Sequence, residues 1–127
     1  MSNFLTEKNI CILKSKKKKE ILEELIENLA ESGKIENEKK LKDAIFYREK
    51  LMSTGIGLGI AVPHVRIEGI EKPVMALGIK HAGIPDYESI DGEVIRIVVM
   101  IVAGKEQHRE YIKLLSLVVS ALKNKEI

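Results

Sequence analysis

An almost unbroken apolar run, Val94–Gly104 (VIRIVVMIVAG), constrains the fold more than any other stretch of this sequence. A strand that is apolar on both sides is covered on both faces, so this run predicts a central strand with further layers above and below it. Shorter runs predict strands at Lys8–Leu13, Ile60–His64 and Pro73–His81. Pro63 is expected to end the second of these, because proline donates no hydrogen bond to a sheet.

Three amphipathic helices are predicted from apolar residues that recur at helical spacing. The first follows Ser15 and ends near Gly33, the second runs from about Asn37 through Leu51, and the third covers Glu106–Lys123. The inward face of the third helix is expected to carry His108, Ile112, Leu115, Val119 and Leu122. Helices interleaved with strands predict an α/β layered domain in which the helices pack against a sheet.

Size and charge narrow the classes of function. A chain of 127 residues with 45% hydrophobic residues suits one globular domain. Its 21 basic and 19 acidic residues give a net charge of +2, so the chain has no overall basic field to attract nucleic acid, and with 4% aromatic residues it has few side chains on which bases could stack. The lysine run Lys16–Lys19 is interpreted as a solvated helix face. Binding of nucleic acid through that run is the alternative, and it would depend strongly on salt.

Cysteine usage and the first residues bear on the compartment. A single cysteine, Cys11, excludes an internal disulfide framework and any multi-cysteine zinc site. The opening MSNFLTEKNICIL lacks the pattern of a signal peptide, and no apolar run approaches the roughly 20 residues that span a bilayer. We therefore expect a cytoplasmic protein.

The segment Ser53–Arg66, STGIGLGIAVPHVR, spends three alternating glycines on the approach to a histidine. It is no P-loop, because it lacks the Gly-Lys-Ser/Thr ending, and no dinucleotide fingerprint, because Ile60 stands where the third glycine belongs. Two interpretations remain open from the pattern. The glycines form a flexible turn at the entry to a strand, or they let a ligand come close to the backbone.

His64 is the strongest candidate for chemistry. A histidine after a proline at the expected end of a buried strand lies at the sheet rim, and its imidazole is largely neutral near pH 7, so one ring nitrogen can act as a nucleophile. Arg48 offers a planar charged fork suited to phosphate oxygens, and His108 lies at a helix N-terminus, where an anion is favoured. If the three converge, they form a phosphoryl-transfer site; the alternative is a histidine that is merely hydrogen-bonded at a strand end.

Other sites are less well supported by the residue pattern. The three histidines, at 64, 81 and 108, lack the short spacings of zinc sites, so no metal is expected. A Cys-His hydrolase would need an exposed Cys11, which instead lies in an apolar strand. His81 is interpreted as an exposed loop residue after a strand. The hydroxyls of Ser53 and Thr54 are candidate phosphate donors, although both residues are common in turns.

The runs YREKLMSTGIGLGIAVPHVR, KPVMALGIKHAGIPDYESIDGEVIRIVVMIVA and HREYIKLLSLV together resemble the enzyme IIA domain of the phosphoenolpyruvate-dependent sugar phosphotransferase system, of the fructose/mannitol type, and its nitrogen-regulatory relative. The resemblance implies a three-layer α/β/α sandwich with a mixed β-sheet. It also implies a phosphocarrier that takes a phosphoryl group from phospho-HPr and passes it to an enzyme IIB, and so serves a membrane permease indirectly. Neither a cofactor nor nucleic acid is implied.

The same resemblance assigns roles to residues. It makes His64 the phosphoryl acceptor, with Arg48 and His108 stabilising the phosphoryl group. Thr54 and the backbone N–H at Gly55 are expected to add contacts to the phosphoryl oxygens. The family domain usually continues into another C-terminal helical segment, so residues 1–127 are expected to form one enzyme IIA-like domain without that segment. The alternative function is a regulatory module of the same fold, in which phosphorylation of the histidine controls the binding of a target protein.

Overall fold

A computed structural model of the chain describes residues 10–33, 35–51 and 53–123, without the side chains of residues 56, 108, 118, 119 and 121–123. Within these described residues, three helices and six strands follow one another: β1 Ile10–Ile12, α1 Lys18–Glu31, α2 Glu38–Leu51, β2 Gly55–Gly57, β3 Ile60–Ala61, β4 His64–Ile67, β5 Val74–Ile84, β6 Ile95–Gly104 and α3 His108–Lys123. The three predicted helices are confirmed, with bounds within a few residues of those expected. None of these described helices combines the length and the apolar character needed to cross a lipid bilayer.

The strands form one mixed sheet with β6 near its middle. β5 pairs with β6 antiparallel and with β1 in parallel, while β3 and β4 both pair in parallel with the other side of β6. β2 closes that side as an antiparallel partner of β3. The sheet therefore has β1 at one edge, and β2 and β4 at the other.

Helices cover both faces of the sheet, as the apolar run in β6 predicts. Successive residues of β6 alternate between two cores: Val98, Met100 and Val102 pack on the side of α1 and α2, and Val99, Ile101 and Ala103 on the side of α3. This alternation, with every one of the six side chains buried, makes the fold a three-layer α/β/α sandwich with a mixed β-sheet. The expected fold class is confirmed.

The inward face of α3 differs from the expected one. Its described buried side chains are Tyr111 and Leu114, whereas Ile112 is 44% exposed and Leu115 is only partly buried. A helix that turns by about 100° per residue presents a different stripe when it rotates by one position, and the wide apolar surface of α3 leaves that choice to packing. The side chains of the predicted stripe at 108, 119 and 122 lie outside the described residues.

The strand that begins at Ile60 ends before Pro63, as expected, but a new strand begins directly after it at His64. Ile60 pairs with Ile97 and His64 with Ile101, so β3 and β4 keep a single register against β6. The missing N–H of Pro63 interrupts the ladder, but its carbonyl still accepts from the N–H of Ile101 at 3.0 Å, and pairing resumes at once. His64 is therefore the first residue of the edge strand β4.

Candidate functional site

A groove runs along β4 at the edge of the sheet, between α2 and α3. Its volume is about 580 Å³, and its walls come from three elements and one loop. The residues that line it are Ala44, Tyr47, Arg48 and Leu51 from α2, His64, Val65 and Arg66 from β4, Lys105 from the following loop, and Tyr111 from α3. Three of these side chains, those of Arg48, Arg66 and Lys105, carry a positive charge, and no carboxylate is among the described lining residues.

The two ring nitrogens of His64 have different environments. Nδ1 lies 2.5 Å from the carbonyl oxygen of Val62, two residues earlier in the chain. Because a carbonyl oxygen only accepts, the proton of the neutral ring is on Nδ1, and the lone pair is on Nε2. The local backbone thus selects the tautomer in which Nε2 is the nucleophilic nitrogen.

The surroundings of His64 favour its neutral form. Burial lowers the pKa of the imidazole below its ordinary value of 6.5, and the guanidinium of Arg48 lowers it further. The hydrogen bond to Val62 and the carboxylate of Glu49 act in the opposite direction without cancelling the effect of burial. Around pH 7 the ring is therefore uncharged and nucleophilic.

Two of the three residues that the sequence singled out meet at this groove. Arg48 and His64 both line it, and Arg48 affects the pKa of His64 directly. The third, His108, is the first residue of α3, one turn before Tyr111, and its side chain lies outside the described residues. Its predicted role stays a prediction.

Tyr111 and Arg66 are groove residues that the sequence reasoning missed. The Tyr111 ring centroid lies 5.6 Å from that of His64, with the planes at 44°, and the Arg66 guanidinium carbon lies 5.8 Å from the centroid of Tyr111. Burial raises the pKa of the Tyr111 hydroxyl, while Arg48 and Arg66 oppose that rise. Arg66 could have been found from the alternation of side chains along a strand, since it is two residues after His64 and so lies on the same face of β4.

A buried polar cluster lies beneath the start of the glycine segment. The carboxylate of Glu49 accepts hydrogen bonds from the hydroxyl of Thr54, from the N–H of Thr54 at 3.3 Å and from the hydroxyl of Tyr87 at 3.1 Å. It also pairs with Lys18 Nζ at 2.9 Å. Lys18 is thus half-buried and paired, which corrects the interpretation of the whole lysine run as a solvated face. Lys16, Lys17 and Lys19 are exposed as expected.

The cluster changes what is expected of Thr54. Its side chain is only 3% exposed, and its hydroxyl contacts both Glu49 and Tyr87, the latter at 2.8 Å. Neither Thr54 nor Gly55 is among the residues that line the groove. Their predicted contacts with a phosphoryl group stay a prediction, whereas their structural contacts fix the start of the glycine segment against α2.

The alternating glycines serve the backbone and its packing. A side chain at Gly55 would overlap the carbonyl oxygen of Glu88, and Gly57 and Gly59 have φ values of +104° and +77°, which favour glycine. The segment is a β-hairpin, β2 to β3, whose two-residue turn Leu58–Gly59 has positive φ at both positions. These contacts support the interpretation of the glycines as a turn at the entry to a strand, and not as a loop that a ligand approaches.

The remaining candidates lie elsewhere. His81 is exposed, as expected, but it lies inside β5 and not in a loop, because β5 continues to Ile84. Cys11 is partly buried in β1, and burial raises the pKa of its thiol. Among the described residues, no three His, Cys, Asp or Glu side chains come close enough to hold a metal ion.

Comparison with known proteins connects this geometry to one family. A family model described as "Phosphoenolpyruvate-dependent sugar phosphotransferase system, EIIA 2" matches residues 3–127. The chain is 34% identical over 128 residues to the PTS system fructose-specific EIIABC component of Bacillus subtilis. The match covers all of this chain but only 20% of the length of that relative. It is 31% identical over 116 residues to a nitrogen regulatory protein of Bradyrhizobium diazoefficiens, covering 91% of this chain and 74% of that protein.

A solved structure agrees with the fold. In the complex of enzyme IIAMTL and phosphorylated enzyme IIBMTL from Escherichia coli, a chain superimposes with a TM-score of 0.76 at 28% sequence identity. The match covers 94% of this chain and 81% of that chain. The similarity therefore extends through all three layers of the sandwich.

Proposed function

Because this chain belongs to the EIIA 2 family of the phosphoenolpyruvate-dependent sugar phosphotransferase system, whose domains transfer phosphoryl groups, we propose that it accepts a phosphoryl group from phospho-HPr on His64 and passes it to an enzyme IIB. The observation that carries the proposal is the hydrogen bond from His64 Nδ1 to the Val62 carbonyl, which leaves Nε2 as the nucleophile in a groove lined by cations.

The transfer needs alignment and charge stabilisation from the protein. The Nε2 lone pair of His64 forms a bond to phosphorus, while the bond from phosphorus to the donor nitrogen breaks and its electron pair returns to the donor imidazole. The Nδ1 proton stays on the ring, where the Val62 carbonyl stabilises the positive charge that develops. Arg48 balances the negative charge of the phosphoryl oxygens. In passage to enzyme IIB, a cysteine or histidine of that partner forms the new bond to phosphorus, while the bond to Nε2 breaks and its electron pair returns to the His64 ring.

The groove is open to a second protein, as both steps require. Tyr47 and Leu51 on the outer wall are 64% and 63% exposed, and they lie beside Arg48 on the same helix. An aromatic and an aliphatic side chain next to cations suit a partner that presents a phosphorylated side chain on an apolar surface. The related enzyme IIAMTL is solved in complex with phosphorylated enzyme IIBMTL.

The experiment is incubation with phosphoenolpyruvate, enzyme I and HPr, followed by intact-mass analysis of wild type, His64→Ala and His81→Ala. We expect one acid-labile phosphoryl adduct on wild type and on His81→Ala, and none on His64→Ala. His81 is a matched control, since it is an exposed histidine in β5 away from the groove. An adduct that persists on a folded His64→Ala protein, or no adduct on wild type, would overturn the proposal.

A regulatory role is the second candidate, favoured by the 31% identity to a nitrogen regulatory protein. In that role the phosphoryl group on His64 controls the binding of a target protein and is not passed on. Adding candidate enzyme IIB proteins to the phosphorylated chain separates the two roles. Loss of the adduct with its appearance on enzyme IIB supports the carrier; a stable adduct with every candidate supports the regulator.

A further inference from the structure

Arg66 occupies a position from which it reaches the same space as His64. The two residues are separated by one position in β4, so their side chains lie on one face of the strand. Their partners on β6, Ile101 and Ala103, belong to the core beneath α3, which places this face on the α3 side of the sheet. Both His64 and Arg66 line the groove.

Tyr111 links these two side chains. Its ring lies 5.6 Å from the ring of His64, and the guanidinium carbon of Arg66 lies 5.8 Å from its centroid. A guanidinium over an aromatic face gains a cation–π interaction, which restricts the side chain without neutralising its charge. Tyr111 is only 8% exposed, so the ring is a fixed surface against which Arg66 is held next to His64.

The charge of Arg66 is available to a ligand. Within residues 10–33, 35–51 and 53–123, no carboxylate lies within ion-pair distance of its guanidinium. Lys105 in the same groove differs, because its Nζ lies 3.9 Å from a carboxylate oxygen of Glu68. A planar cation on an apolar support suits a tetrahedral dianion that arrives beside it, since two of its N–H groups can bond two phosphoryl oxygens.

We propose that Arg66 is a second phosphoryl-binding cation, which contacts the phosphoryl group carried on His64 from the α3 side while Arg48 contacts it from α2. Tyr111 is the positioning residue that holds Arg66 there. This inference rests on the proposed function, because it takes His64 to be the residue that carries the phosphoryl group. It adds a role for a residue that follows the nucleophile on the same strand face.

The test is the equilibrium constant for phosphoryl exchange between phospho-HPr and this protein, read by intact mass after the mixture stops changing. An equilibrium constant reports the stability of the phosphorylated state and is unaffected by how fast the two proteins dock. Loss of a charge-assisted hydrogen bond is expected to lower the constant about 10-fold in Arg66→Gln. Arg66→Lys keeps the charge and should recover part of that loss.

Two further variants distinguish a direct contact of Arg66 with the phosphoryl group from a general electrostatic effect of positive charge on the protein. Arg96→Gln removes the same kind of charge from outside the groove and is expected to change the constant less than about 3-fold, because that arginine is exposed on β6. Tyr111→Leu should lower the constant more than Tyr111→Phe, which keeps the aromatic face. Equal effects of Arg66→Gln and Arg96→Gln, or a folded Arg66→Gln protein with the wild-type constant, would overturn the inference. Failure of wild type to become phosphorylated on His64 would instead overturn the proposed function.

Discussion

The chemistry proposed for this protein depends on one side chain, that of His64, whose two nitrogens are made unequal by the backbone. The Val62 carbonyl accepts from Nδ1, and burial keeps the pKa of the ring below 6.5. The sequence pointed to the histidine but not to the tautomer. That choice depends on the position of a carbonyl two residues earlier, which follows only from the path of the chain around Pro63.

The pH dependence of phosphorylation follows from the lowered pKa of His64. Only the neutral imidazole has a free lone pair, so the single-turnover rate of phosphorylation should be flat around pH 7 and should fall only in acid, with a midpoint below 6.5. Rapid-quench measurements of that rate between pH 5 and pH 8 check this, with phospho-HPr formed beforehand. An NMR titration of the His64 ring should give the same midpoint.

The lowered pKa of His64 also determines the direction in which the free energy of unfolding changes with pH. Because the folded pKa lies below the unfolded one, the contribution of His64 to the free energy of unfolding is complete above pH 6.5 and is lost as the pH falls from there through the folded pKa. His64→Ala should remove that part of the pH dependence of unfolding. A titration midpoint at or above 6.5 in the folded protein would contradict the account.

At the scale of elements, the sequence predicted the helices and strands that follow from the spacing of apolar residues. It missed the features that depend on how strands pair. The helices follow from apolar spacing, and the central strand from its apolar run. The start of the edge strand β4 at His64 and the hairpin at Leu58–Gly59 depend on which neighbour each backbone group meets. A glycine pattern alone therefore did not distinguish a ligand loop from a chain packed against residues 88–90.

Gly55→Ala tests the packing role assigned to the first glycine. The new methyl group would overlap the backbone at Glu88, so we expect a loss of more than about 3 kcal/mol in the free energy of unfolding, measured with urea. Gly33→Ala is the control. Gly33 has a φ of +79°, and a methyl group added there would meet no heavy atom of the described residues within 4 Å, so only the backbone cost of about 1 kcal/mol applies. Equal losses in the two variants would show that Gly55 is not required for close packing.

At the scale of the whole molecule, the site exists because the sheet edge brings α2, β4 and α3 together. Arg48 and His64 were predictable as groove residues, since each has a side chain suited to phosphoryl chemistry and lies in a motif that resembles the enzyme IIA family. Arg66 and Tyr111 were not, because their nearness to His64 depends on the face of β4 that α3 covers. At the described positions of α3, the buried residues Tyr111 and Leu114 lie one residue before the expected Ile112 and Leu115, and that rotation places Tyr111 in the core.

The position of the groove predicts where a partner docks. Leu51 is 63% exposed on its outer wall, so Leu51→Glu should leave the melting temperature almost unchanged but place a negative charge where a phosphorylated donor approaches. We expect kcat/KM for phosphorylation by phospho-HPr to fall about 10-fold. Ile12→Glu is the control, since Ile12 is 62% exposed in β1 at the opposite edge of the sheet. Equal rates for the two variants would place the docking surface elsewhere.

The central claim is that His64 accepts the phosphoryl group through Nε2, and one measurement addresses it directly. The chain labelled with ¹⁵N in its histidines is phosphorylated through HPr, and its ring nitrogens are observed by NMR with and without coupling to ³¹P. The account predicts phosphorus bonded to Nε2 of His64, with Nδ1 still protonated and hydrogen-bonded to the Val62 carbonyl. Phosphorus on Nδ1 of His64, or on another residue, would contradict it.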